Sequence, residues 1–154
     1  MLYRGMDRAQ LDAAYNNSAA VPERDAIVAG WAARSARVRR ECAGHFDLAY
    51  GDTPRERLDL FLAADPKAPT LAFIHGGYWQ INDLVKENFA FFAEALLPLG
   101  INLAVIEYTL APAARLDRMS PRCAAPCDGS PNILVNTAPT RTAYTFPAIR
   151  PAVT

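Results

Sequence analysis

The sequence predicts an α/β protein: N-terminal helices, then the first strands of a mostly parallel sheet and one crossover helix. Three stretches carry that expectation. Thr70–Ile74 (TLAFI) is a short apolar run with a β-branched end, the pattern of a strand buried on both faces of a parallel sheet. Ile81–Leu97 sets Leu84, Phe91, Phe92, Ala95 and Leu96 at helical spacing before Pro98 and Gly100 stop it. Ile101–Tyr108 (INLAVIEY) is a second buried strand. Strand, helix and strand in this order close as a right-handed crossover.

The remaining elements follow in chain order. Asp7–Tyr15 carries Leu11, Ala14 and Tyr15 at helical spacing, and Asn16-Asn17-Ser18 ends it. Pro22–Glu41 is the strongest helical pattern: Pro22 suits a first helical position, and Ile27, Trp31 and Val38 lie near one face. Arg34, Arg37, Arg39 and Arg40 gather towards its far end, where a solvated face also favours the negative helix terminus. From His45 the period changes to two. Phe46, Leu48 and Tyr50 alternate with Asp47 and Ala49, and Gly51-Asp52 closes the strand. Leu58–Leu62 makes another, and Pro66 and Pro69 bracket the link to Thr70.

Beyond Met119 the character breaks. Ser120–Thr154 holds six of the twelve prolines, two of the three cysteines, and no lysine or glutamate. Only Ile133-Leu134-Val135 keeps a pattern. Residues 1–119 are therefore expected to form the structured part and 120–154 an irregular tail. Such a tail leaves one side of Thr70–Ile74 without a partner, which predicts a marginally stable, aggregation-prone chain.

At 154 residues, 51% of them hydrophobic, the chain suits one modest globular domain. Sixteen basic residues balance sixteen acidic ones, so nothing favours nucleic acid or an anionic membrane. The start, MLYRGMDRAQ, is charged from Arg4 onward and lacks the apolar run of a secretory leader. Phe89–Ile106 is interrupted by Glu94, Pro98 and Gly100 and does not read as a membrane span. Cys42, Cys123 and Cys127 form no even disulfide framework, which predicts a reducing cytoplasm. Cys123 and Cys127 lack a second ligand pair, so no metal is expected. No glycine-rich phosphate loop follows any strand, which argues against a nucleotide-binding fold.

The chemistry gathers after Thr70–Ile74. His75-Gly76-Gly77 ends the strand, and Tyr78 and Trp79 follow at once. Ligands of open α/β sheets bind at the C-terminal edge of the strands. Glycines there let successive backbone N–H groups, best at Gly77 and Tyr78, turn towards one point. Donors fixed at a developing oxyanion are worth roughly 3–4 kcal/mol of barrier each. The tripeptide serves equally well as a tight turn with His75 a strand-end histidine.

The order of elements in His45–Pro112 resembles the N-terminal half of an α/β-hydrolase. HGGYWQ at His75–Gln80 and EYTLAP at Glu107–Pro112 resemble the arylformamidase (kynurenine formamidase-like) and related esterase branch. LYRGMD and AAYNNSAAVP within Leu2–Pro22 resemble the helical cap of bacterial members. The likeness extends over Leu2–Met119. It implies hydrolysis of a small carboxylic ester or N-formyl aryl amide by a serine nucleophile, a histidine and an acid, with no cofactor. Carried onto this sequence, it implies Gly76, Gly77 and Tyr78 as oxyanion donors and His75 as support of their loop. Tyr78 and Trp79 become walls of an aromatic substrate pocket.

The chain departs from that pattern. No G-x-S-x-G occurs: the serines are Ser18, Ser35, Ser120 and Ser130, and none has the frame. His45, the other histidine, precedes the first strand, out of order for a triad running nucleophile, acid, base. Cys42 beside it reads as incidental. No nucleophile, catalytic acid or base is therefore assigned. A frameshift accounts for this. Read back into possible codons and moved one nucleotide earlier, Thr140–Thr154 allows, among the choices its degenerate codons leave open, Pro-Asp-Arg-Ile-His-Val-Ser-Gly-His-Ser-Ala-Gly-Gly-His, the elbow such a chain needs next. The alternative is a non-catalytic α/β binding module that keeps the aromatic pocket.

Overall fold

The computed structural model describes residues 3–16, 18–124, 133–135 and 143–144. Helix α1, Arg8–Ala14, buries none of its residues and depends on local bonds. Asp7 accepts from the Gln10 amide at 2.8 Å while the Gln10 side chain accepts from the Asp7 amide at 3.0 Å, a capping box.

Helix α2, Arg24–Glu41, starts two residues after Pro22 and buries only Ser35 and Val38. Its docking is specific rather than broadly apolar. Ser35 Oγ donates to the Asn88 carbonyl at 2.9 Å and accepts from the Phe91 amide at 3.1 Å. Trp31 sets its ring against Phe89 and Phe91, at 6.1 and 5.8 Å between centroids. Ile27, expected on the inner face, is exposed. Arg34, Arg37 and Arg40 are exposed, as a solvated face requires, and only Arg39 of the four departs from it. Arg34 and Arg37 grip Glu94 at 2.6 and 2.8 Å, and Arg39 pairs with the fully buried Asp59; only Arg40 of the four has no ion pair among the described residues. Glu94 and Asp59 lie far along the chain, where helix periodicity says nothing.

The strands are β1 (Gly44–Ala49), β2 (Arg57–Phe61), β3 (Thr70–Ile74), β4 (Asn102–Ile106), β5 (Ile133–Val135) and β6 (Ala143–Tyr144). Their order across the sheet is β1-β2-β4-β3-β5-β6. β3 runs parallel to β4 and to β5, and the other neighbours are antiparallel, so the described edges are more antiparallel than the sequence suggests. In β1 the register shifts between His45 and Leu48, where Asp47 takes a φ of +56°. This bulge lets the Asp47 amide donate to Asp59 at 2.9 Å.

Between β3 and β4 the expected helix over Ile81–Leu97 is corrected. Lys86–Phe92 and Leu97–Leu99 are 3₁₀, and only Ala93–Leu96 (α3) is α-helical. The Lys86 amide donates to Glu107, a partner outside the segment, at 3.0 Å, and the Val85 amide donates to the segment's own Asn88 side chain at 2.9 Å; together they fix its start. Three residues per turn also rotate the inward face. Phe89, Ala90 and Ala93 are buried, whereas Phe91 and Leu96 are half-buried and Phe92 and Ala95 are exposed.

One core, under α2 and the 3₁₀ segment, joins Val38, Phe61, Phe89, Ala90, Ala93, Leu103 and Val105. A smaller one on the other face joins Leu58, Ala72 and Ile106. Helix α4, Leu116–Ala124, runs across the expected boundary at residue 119 and contains Pro121. The bare side of β3 is corrected in part: Ile133–Val135 pairs with Thr70–Ala72. Ala143–Tyr144 (β6) pairs in turn with β5, and the rest of the expected tail lies outside the described residues, as does Cys127. No helix among the described residues is long and apolar enough to cross a membrane.

Candidate active site

Strand β3 delivers His75 into the interior, where it is 2% exposed. Its ring lies nearly flat between Phe89 (5.5 Å, 11°) and Tyr108 (4.7 Å, 23°). Nδ1 is 2.8 Å from the Gly76 carbonyl oxygen and Nε2 is 3.0 Å from Glu107 Oε1. The Tyr108 hydroxyl donates to the His75 carbonyl at 2.8 Å.

Glu107 is the hub of the site. Oε1 also accepts from the Tyr108 amide at 3.0 Å and from Arg55 Nη2 at 2.8 Å, while Oε2 accepts from the Lys86 amide at 3.0 Å. Burial pushes the carboxyl up, but His75 and the two amides together hold it below the usual carboxylate range, so it is ionised. Burial also drives the Tyr108 phenol up to about 12, helped by nearby Cys123 and Glu107. Tyr108 is thus a neutral donor. The buried Lys86 ammonium points elsewhere, to Asp59 at 2.9 Å and Asp47 at 2.6 Å.

From this anchor the loop turns through three successive positive φ angles, +131° at Gly77, +52° at Tyr78 and +61° at Trp79. For Tyr78 and Trp79 such a backbone costs roughly 1–2 kcal/mol each. The Gly77 carbonyl accepts from the Gln80 and Ile81 amides at 3.0 and 2.9 Å, and the Trp79 carbonyl from the Ala111 amide at 2.8 Å. The two glycines differ. Gly77 is required by its φ, whereas a Cβ on Gly76 meets nothing within 4 Å.

Tyr78 is 61% exposed and Trp79 42%, and the Trp79 ring sits 5.3 Å from that of Tyr108. Both line an open, mainly apolar cavity of about 620 Å³ with Pro112, Leu116 and Met119 and with the charged Arg115 and Asp117. The structure therefore brings His75, Gly76, Gly77, Tyr78 and Trp79 into one loop beside an apolar hollow. His45 stands apart, exposed on β1. Sequence reasoning missed Glu107, Arg55 and Tyr108. A signal existed: Glu107 is a lone charge ending the apolar run INLAVI, and a buried charge requires a partner.

No family model matches the chain. Kynurenine formamidase of Danio rerio is 35% identical over 75 residues, 47% of this chain and 25% of that protein. A probable isoprenylcysteine alpha-carbonyl methylesterase of Oryza sativa subsp. japonica is 40% identical over 74 residues, 47% of this chain and 17% of that protein. Among solved structures, a putative thioesterase from Silicibacter sp. TM1040 superposes with a TM-score of 0.72 at 27% identity, over 82% of this chain and 50% of its own. The chain spans a quarter or less of the curated relatives it matches. Over about half its length the chain is thus similar to formamidases and an esterase, and its α/β fold is that of a solved putative thioesterase.

Proposed function

We propose that this chain carries the oxyanion-holding part of a hydrolase that cleaves a small carboxylic ester or an N-formyl aryl amide. The observation that carries the reading is the left-handed backbone of Tyr78 and Trp79 beside Gly77, held against the buried His75–Glu107 pair. Strain of this kind persists only where its surroundings enforce it, and it concentrates at functional sites. Gly76, Gly77 and Tyr78 are the candidate donors to the oxyanion, and Tyr78 and Trp79 the walls for an aromatic group. The nucleophile is not in this chain, since none of its four serines sits in G-x-S-x-G. The elbow readable one nucleotide earlier over Thr140–Thr154 supplies it in our reading, with residues 120–154 a shifted translation. The cytoplasm is the proposed compartment.

The test is to move the frame back by one nucleotide near the Met119 codon, express the product, and assay p-nitrophenyl acetate and N-formylkynurenine. That product is expected to hydrolyse at least one of them, with the rate abolished by Gly77→Pro. The 154-residue chain is expected to match its own Gly77→Pro control. A folded but inactive frame-moved product overturns the hydrolase reading. It then leaves the non-catalytic module, which the missing elbow favours for the chain as it stands.

A further inference from the structure

We propose that Tyr108 is a positioning residue for the glycine loop: its hydroxyl fixes the His75–Gly76 peptide so that the Gly76 amide stays open to a ligand, and its ring holds the far end of the loop at Trp79. The role in catalysis rests on the oxyanion reading above; the clamp on the backbone does not.

One peptide unit carries the effect. The Tyr108 hydroxyl donates to the His75 carbonyl at 2.8 Å, with both residues only 2% exposed. A carbonyl oxygen only accepts, so the hydroxyl must be the donor, and burial keeps its proton in place. The His75–Gly76 peptide is trans, and in a trans unit the C=O and the following N–H point in opposite directions. Holding the His75 oxygen on Tyr108 therefore turns the Gly76 N–H away from that hydroxyl. Among the described residues neither the Gly76 nor the Gly77 amide has an acceptor, and a Cβ on Gly76 would meet nothing within 4 Å. Two successive amides left in this state are suited to an anion. Turning the peptide over would strip the buried hydroxyl of its acceptor, and a buried donor without a partner is costly.

The same side chain meets the loop a second time. Its ring lies 4.7 Å from that of His75 and 5.3 Å from that of Trp79. Trp79 is the last of the three residues with positive φ. The Tyr108 amide is itself fixed on Glu107 Oε1 at 3.0 Å, so the clamp has a firm base at the exit from β4. Its two contacts separate chemically. Tyr108→Phe removes the bond to His75 and keeps the ring against Trp79, whereas Tyr108→Leu removes both.

Amide NMR of the glycine-labelled 154-residue chain reads the clamp directly. In the wild type the Gly76 amide is expected to be unprotected from hydrogen exchange. In Tyr108→Phe the Gly76 and Gly77 signals are expected to show microsecond-to-millisecond exchange broadening, while Gly30 and Gly100 stay as they were. In the frame-moved enzyme Tyr108→Phe is expected to lower kcat by up to ~10²-fold with KM nearly constant, and Tyr108→Leu to raise KM as well. A strongly protected Gly76 amide in the wild type overturns the proposal, and that measurement decides even where the variants fail to fold. Unbroadened Gly76 and Gly77 signals, or an undiminished kcat, in a folded Tyr108→Phe overturn it too. A wild-type KM in Tyr108→Leu overturns the hold on Trp79. An inactive frame-moved wild type beside a broadened loop in Tyr108→Phe sinks the hydrolase reading instead and leaves the clamp standing.

Discussion

Strands β3 and β4 lie side by side in parallel register, Thr70 beside Asn102 through to Ile74 beside Ile106, yet they meet solvent differently. Every residue of β4 is buried, whereas in β3 only Thr70 and Ala72 are, with Leu71, Phe73 and Ile74 half-buried. Their apolar content is alike, so composition does not make the difference. β4 has β2 along Leu103–Ile106 on its other side, while among the described residues β3 has β5 along Thr70–Ala72 alone. The neighbour decides how much of a strand is inside.

The contrast can be broken by mutation. The largest effect is expected over the sheet face, where Phe89 and Phe92 both pack against Phe73, at 5.5 and 4.7 Å between rings. Phe89→Ala should cost about 3–5 kcal/mol in denaturant unfolding. Phe92, 36% exposed, should cost about 1–2 kcal/mol. Equal losses would mean that ring contact rather than burial sets the energy. Next come the register partners Leu103 and Leu71. Leu103→Ala should cost about 2–5 kcal/mol, and Leu71→Ala clearly less. A Leu71 loss as large as that of Leu103 would show that β3 is enclosed as fully as β4.

The smallest expected effect is the pH dependence that Glu107 brings to the end of β4. Its folded pKa lies below the unfolded value of 4.5, so its stabilisation is complete above that value and is lost as pH falls through the folded pKa. Acid unfolding monitored by circular dichroism should therefore be shallower in Glu107→Gln. An identical acid limb in both proteins would remove Glu107 from the account.

Much of this was legible in the sequence, for identifiable reasons. Thr70–Ile74 announces a buried strand by local pattern, and Gly77 announces a turn because only glycine adopts its φ freely. What escaped depends on partners distant in sequence. His75 meets Glu107 across 32 positions, and Arg34 meets Glu94 across 60. The apolar spacing of Ile81–Leu97 suggested a regular helix because nothing local reveals that Glu107 takes the Lys86 amide. Ile133-Leu134-Val135 stood out as the one patterned run of its region, but its pairing with β3 was not readable from composition.

The position of β4 has a consequence for biosynthesis. It enters the sheet between β2 and β3, although both are made before it. A ribosome that has released only the residues up to Gly100 therefore holds a β1-β2 hairpin and a solitary β3, with nothing to join them. Glu107 and Tyr108 emerge directly after β4, so the strand that unites the sheet also brings the groups that fix His75. Until translation passes Tyr108, the glycine loop is already made but has no anchor.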